Sequence, residues 1–245
     1  MTARKPSVSA TLTRQLAARI LGGDLAPGEQ LPGENELATQ YEVSRTTVRN
    51  ALQVLAAKGL ISVQAKRRST VCEQDQWNCL DQEVITWLGE TEISQDTVKQ
   101  LMVTRLIFEP DMAALAATHA SAADLAAIEA AWITMKQAQK QADGALFEKG
   151  DLAFHLALLR ATHNFFLQSL GNALAAAMML SFKQTLEHDV SLTALAVEQH
   201  QAVLEAIRLR QADTARQRMR EILLAAIQKS GELHQADLLA TLGQR

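Results

Sequence analysis

The chain has 245 residues, 48% of them hydrophobic and 21% charged, enough for a sizeable core or two modest domains. Only four prolines, eleven glycines and 4% aromatics exclude a β-sandwich or barrel and point to a mainly α protein. The net charge of −3 is the sum of unlike parts. Residues 1–72 hold ten Lys/Arg against five Asp/Glu, a local +5, which leaves −8 for the rest. A basic head on an acidic body suggests a polyanion-binding module joined to something else.

Apolar spacing predicts a first helix from about Val8 to Leu21, stopped at Gly22-Gly23. Pro27-Gly28 and Pro32-Gly33 make rigid turns. A short helix follows from about Glu34 to Tyr41. Ser44 suits the N-cap of a third helix from about Arg45 to Lys58, with Gly59 at its exit. The stretch ISVQAKRRSTV alternates like a two-stranded hairpin with a basic tip of Lys66, Arg67 and Arg68.

A polar stretch, EQDQWNC, follows the hairpin, and the domain boundary is expected there, dividing the chain into 1–75 and 76–245. Cys72 and Cys79 read as incidental thiols near that junction. The second domain is expected to be all-α, with about seven helices. They are predicted near Asp81–Gly89, then Ser94–His119 with a kink at Pro110, and Ser121–Gln141 with a Ser121/Asp124 cap. The remainder fall near 145–162, 164–188, 192–209 and 213–234. No run of roughly eighteen apolar residues exists for a membrane span, and the N-terminus has no apolar signal core. A cytoplasmic protein with no membrane partner is expected.

Two short helices joined by a tight turn, then a basic hairpin, describe a winged helix-turn-helix. The second helix of such a pair enters the major groove N-terminus first. Here its start is Ser44-Arg45-Thr46-Thr47, followed by Arg49. Hydroxyls and amides at a helix N-terminus suit phosphates, and arginine forks onto guanine. Arg45 and Arg49 are four apart, on one face, although each alone also fits an ordinary solvent-facing residue. Lys66, Arg67 and Arg68 add cations for phosphates or the minor groove. Double-stranded DNA is the expected partner.

The run PGEQLPGENELATQYEVSRTTVRNALQVLAAKGLI resembles the DNA-binding domain of the GntR family of bacterial transcription regulators. The resemblance departs at the wing, where a glycine-flanked tip is replaced by Lys66, Arg67 and Arg68. It departs also at Asn35, which stands among the DNA-facing positions where relatives often carry a basic residue. The C-terminal part resembles the FCD effector domain of the FadR subfamily. The matching pieces are Arg105-x-x-x-Glu109-Pro110, Asp151-x-x-x-His155, His163-Asn164 and Glu198-x-His200. QWNCLDQEVITWL is locally similar to sugar-acid (galactonate-type) repressors.

Asp151 and His155, four apart, reach one point in a bundle, and His200 from a later helix completes a set suited to Zn, Ni or Mn. The resemblance implies a divalent-metal role for these three residues. It also implies a further histidine in the last helix, where this chain has Ile222. The same trio is alternatively a polar site that binds an effector directly. Arg105 reads either as an i,i+4 ion pair with Glu109 on a solvated face or as a buried fork for an effector carboxylate, with Asn172 as an added hydrogen-bonding group. The expected protein is a homodimeric, ligand-responsive repressor of a small-carboxylate operon, released from a short palindromic operator by its effector, and not an enzyme. The alternative is an all-α metal-dependent enzyme acting on small carboxylates.

Overall fold

A computed structural model describes residues 7–64, 67–92, 94–171, 174–175, 178–180 and 193–229. Lys66 and Asn172, both expected at functional sites, lie outside the described residues. The chain divides into two compact units, Met1–Ile93 and Ser94–Arg245.

The first unit opens with α1 (Val8–Leu21), capped by the Ser7 hydroxyl and burying Leu12, Leu16, Ala17 and Ile20 on one face. The short α2 (Glu34–Gln40) starts at Gly33, where the Glu36 carboxylate accepts the Gly33 N–H at 2.8 Å. Next, α3 (Arg45–Ala57) is capped by Ser44 and turns Val48, Ala51, Leu52 and Leu55 inward. These faces meet in a core with Leu31, Leu37, Leu60 and Ile61.

Strands β1 (Ile61–Ser62) and β2 (Thr70–Val71) pair antiparallel, Ile61 opposite Val71 and Ser62 opposite Thr70. The wing is broader than this hairpin. The turn at residues 28–31 lies along the other edge of β2: Gly28 N–H donates to the Val71 carbonyl, Val71 N–H to Glu29, and Leu31 N–H to Ser69. Main-chain pairing on both sides of β2 satisfies groups that a two-residue ribbon would leave open.

The two compact units part between residues 93 and 94, beyond the stretch where composition changes. Helix α4 (Gln82–Gly89), predicted for the second domain, buries Val84 and Trp87 in the core of the first unit. Gly59 shows how closely the intervening chain is held. Its φ is +72°, and a Cβ there would lie 2.1 Å from the Gln76 carbonyl oxygen. Asn78 N–H donates to the Lys58 carbonyl at 2.9 Å. Lys58, which caps α3 and is buried, places its Nζ 2.8 Å from both Asp81 and Glu83. Composition marks this stretch as a polar linker; its backbone contacts make it part of the fold.

The second unit is a helical bundle. Helix α5 (Gln95–His119) runs through Pro110 as one element. Helix α6 (Ala122–Gln141) starts on the Ser121/Asp124 capping box. Helix α7 (Gly144–Ala161) packs against α6 at Gly150, where a Cβ would sit 2.9 Å from Met135 N. The helix predicted over 164–188 is interrupted: α8 (Phe165–Ser169) ends at Leu170 before helical residues resume. The bundle continues with α9 (Ala194–Arg208) and α10 (Ala212–Lys229). Trp132 of α6 donates its indole N–H to the Val197 carbonyl of α9 at 3.0 Å, one turn before His200.

Candidate DNA-reading face and candidate metal centre

In the first unit the start of α3 is fixed by its cap. Ser44 Oγ accepts the Thr47 N–H at 3.1 Å and lies 2.8 Å from Thr47 Oγ1. Both hydroxyls therefore serve the helix start, while Arg45, Thr46 and Arg49 are exposed beyond it. Asn35 is exposed on α2. Arg67 is exposed at the wing and bonds Gln64 through its main chain and its guanidinium, at 3.2 and 3.3 Å. A cleft of about 470 Å³ gathers the reading helix and wing; Glu34, Arg49, Gln53, Gln64, Arg67 and Arg68 line it.

Two acids unassigned by the sequence lie among these cations. Glu34 takes Arg49 as a fork, Nη2 at 2.9 Å and Nε at 3.3 Å, with Arg45 Nη2 at 3.9 Å. The hydrogen bonds from Arg49 hold the Glu34 carboxyl below the usual carboxylate range. Glu36 takes Arg68 at 2.8 Å. Their position in the first turn of α2 identifies them as helix-start acids. That an arginine from α3 and another from the wing meet them is a tertiary fact.

In the second unit, α5, α7 and α9 bring five ionisable side chains into the core: Arg105, Glu109, Asp151, His155 and His200, each under about a tenth exposed. Asp151, His155 and His200 offer ligand atoms all within 4.8 Å of one another. Asp151 Oδ1 lies 2.8 Å from His200 Nε2 and 3.5 Å from His155 Nε2, and the two Nε2 atoms are 3.3 Å apart. Phe154, fully buried, sets its ring edge-on to both imidazoles and limits their rotation.

The proton positions follow from the outer partners. His200 Nδ1 is 2.7 Å from the Ala196 carbonyl, which only accepts, so this nitrogen carries a hydrogen and Nε2 is the one turned toward Asp151. His155 Nδ1 stands 2.6 Å from Glu109 Oε2. That contact is close without being aligned, and Asp151 Oδ1 likewise receives no well-directed hydrogen bond despite its short distances. A poorly satisfied carboxylate oxygen beside two imidazole nitrogens in a buried place fits a cation.

Without one, a proton neutralises the cluster. Burial disfavours charge on His155, but Glu109 and Asp151 outweigh it and push its pKa up to about 9. Burial likewise opposes charge on Glu109, yet Arg105 and His155 lower it to about 2. Asp151 is held well below the carboxylate range by the two histidines, against the same desolvation.

Glu109 is the residue whose role the sequence did not assign. The Arg105 fork expected to receive an effector carboxylate already holds Glu109, Nε to Oε1 at 2.5 Å. The i,i+4 spacing gave the pair correctly, but the pair is buried rather than solvated. Ile222 is buried in α10 and offers no ligand atom, so among the described residues the cluster is the Asp/His/His trio alone.

Each unit carries a match to a known domain family. Residues 9–71 match bacterial regulatory proteins of the gntR family, and residues 100–225 match the FCD domain. The galactonate operon transcriptional repressor of Escherichia coli is 30% identical over 89% of this chain and 94% of its own length. The HTH-type regulator YieP of the same organism is 32% identical over 84% and 87%. The solved structure of Lar from Listeria monocytogenes shares the fold, with a TM-score of 0.68 at 19% identity over 95% of this chain and all of that one. A winged reading head, a helical second unit and relatives of this kind place the chain in the gntR family of bacterial regulatory proteins, as a transcription regulator with an FCD domain.

Proposed function

We propose that the protein is a homodimeric repressor that reads a short palindromic operator and releases it when a small carboxylate, a sugar acid, enters the second unit. Arg45 and Arg49 at the start of α3 supply the base-reading forks. Thr46, the amides of that first turn, Asn35 and Arg67 contact the backbone.

Asp151, His155 and His200 would hold a divalent cation, Zn, Ni or Mn. When bound, such a cation supplies a Lewis-acidic point for a carboxylate or hydroxyl. The carrying observation is the convergence of a carboxylate oxygen and two imidazole nitrogens whose other ring nitrogens face acceptors. Glu109 keeps His155 oriented, and Arg105 keeps Glu109 ionised. The sugar-acid class draws on the galactonate operon repressor among the relatives. Effector binding shifts operator affinity only as far as it distinguishes the two states.

Metal analysis after loading with Zn, Ni or Mn, paired with thermal melts with and without chelator, tests the centre. Stoichiometric metal and a stabilisation of about 2.7 kcal/mol at a hundredfold excess over Kd are expected, both lost in His200→Ala. D-galactonate and related sugar acids are then screened for release of DNA. Metal content equal in wild type and His200→Ala would remove the trio from the site.

A further inference from the structure

The acids on the first turn of α2 sit where a phosphate-binding surface should have none. Glu36 has two simultaneous partners. Its Oε2 accepts the Gly33 N–H at 2.8 Å, closing the cap of α2, and its Oε1 takes Arg68 Nη2 at 2.8 Å. One carboxylate therefore fixes both the start of α2 and the base of the wing. Main-chain bonds from residues 28–31 hold the base of the wing as far as Ser69, and β1 and β2 pair over two residues each, so the Glu36–Arg68 pair extends that hold one residue toward the tip. Its sequence also lacks the glycines that would let the backbone itself approach DNA.

Arg68 is neutralised by a carboxylate whose other oxygen is fixed by the Gly33 N–H, so it gains little from a phosphate. It releases no counterion, and the acid beside it repels the DNA backbone. Arg68 in this setting is a poor phosphate ligand and a good tether.

We propose that Glu36 is a positioning residue for DNA recognition, latching the wing through Arg68 to the helix that precedes the reading helix. The latch holds Gln64 and Arg67 across the cleft from Arg49, so that wing and reading helix address one stretch of duplex together. Arg68 acts through the wing's position. This rests on the DNA-reading assignment above.

The test uses the full chain, a duplex enriched from a random pool by the wild-type protein, and a scrambled duplex as the non-specific reference. Glu36→Gln keeps an amide oxygen for the Gly33 N–H but loses the ion pair. It is expected to weaken binding to the enriched duplex about fivefold and to leave scrambled-duplex affinity unchanged or slightly higher. The Glu36→Gln/Arg68→Gln double variant should lose no more specificity than either single one. Arg68→Gln should keep the salt dependence of wild type, whereas Arg67→Gln should lower the log–log slope by about one.

The latch is overturned if Glu36→Gln tightens both duplexes alike, which would make Glu36 a repeller only. Additive losses in the double variant, with a lower salt slope for Arg68→Gln, would likewise overturn it by making Arg68 a direct phosphate ligand. If the wild-type protein enriches no duplex at all, the DNA-reading assignment falls and the latch with it. That outcome is distinct from normal enrichment with an unaffected Glu36→Gln, which overturns the latch alone.

Discussion

The two units handle charge in opposite ways. On the candidate DNA face Arg49 and Arg45 lie more than half exposed against Glu34, in water, where an ion pair contributes little net stability and exchanges readily. In the helical unit Arg105, Glu109 and His155 are buried, where each charge has lost its hydration and depends on its partner. Exposed pairs can be reassigned to a ligand at little cost, which suits a surface that must open to DNA. Buried pairs hold geometry, which suits a centre that must keep three ligand atoms in place.

The largest effect that would sharpen this contrast is expected from Glu109→Ala. It leaves Arg105 and His155 buried without their shared carboxylate, and should destabilise the protein by roughly 3–5 kcal/mol in a chemical melt. A cost as small as that of an exposed pair would erase the distinction. Arg49→Ala should leave the melt unchanged and weaken binding to an enriched duplex by at least about tenfold. Unchanged affinity would remove α3 from its reading role.

The buried cluster also sets the pH dependence of the metal-free protein. The raised pKa of His155, about 9, gives stability fully present below the unfolded value near 6.5 and lost as pH rises through 9. Glu109 and Asp151, both depressed, contribute stability present above about pH 4 and lost as pH falls toward 2. His155→Gln should flatten the alkaline limb, and wild-type metal-free protein with a flat profile from pH 6 to 10 would contradict the buried cluster.

Much of this was legible without coordinates. Ser44 and Ser121 announce helix starts through side chains that accept the orphan amides, and each caps a helix in the structure, as Ser7, Asp81 and Ser94 do too. The i,i+4 spacing placed Asp151 with His155 and Arg105 with Glu109, because helical geometry alone decides that. The role of the segment through Asn78 and Asp81 was not legible, since its polar composition resembles a linker. Its place in the first unit depends on main-chain bonds to Lys58 and on a glycine that leaves room for a carbonyl.

The sequence by itself determined most of the elements, the Ser44 and Ser121 caps, the basic head and the Asp151/His155 pair, which follow from local chemistry and periodicity, while the resemblance to the FCD domain added His200. Only the tertiary structure decided whether each charged face is wet or dry. It alone buried the Arg105–Glu109 pair, and it alone brought Glu109 to His155 and Glu36 to Arg68. Such partners come from different elements, or lie on faces whose burial depends on what packs against them. Desolvation then turns the same i,i+4 pair from a surface ornament into the support of a buried centre.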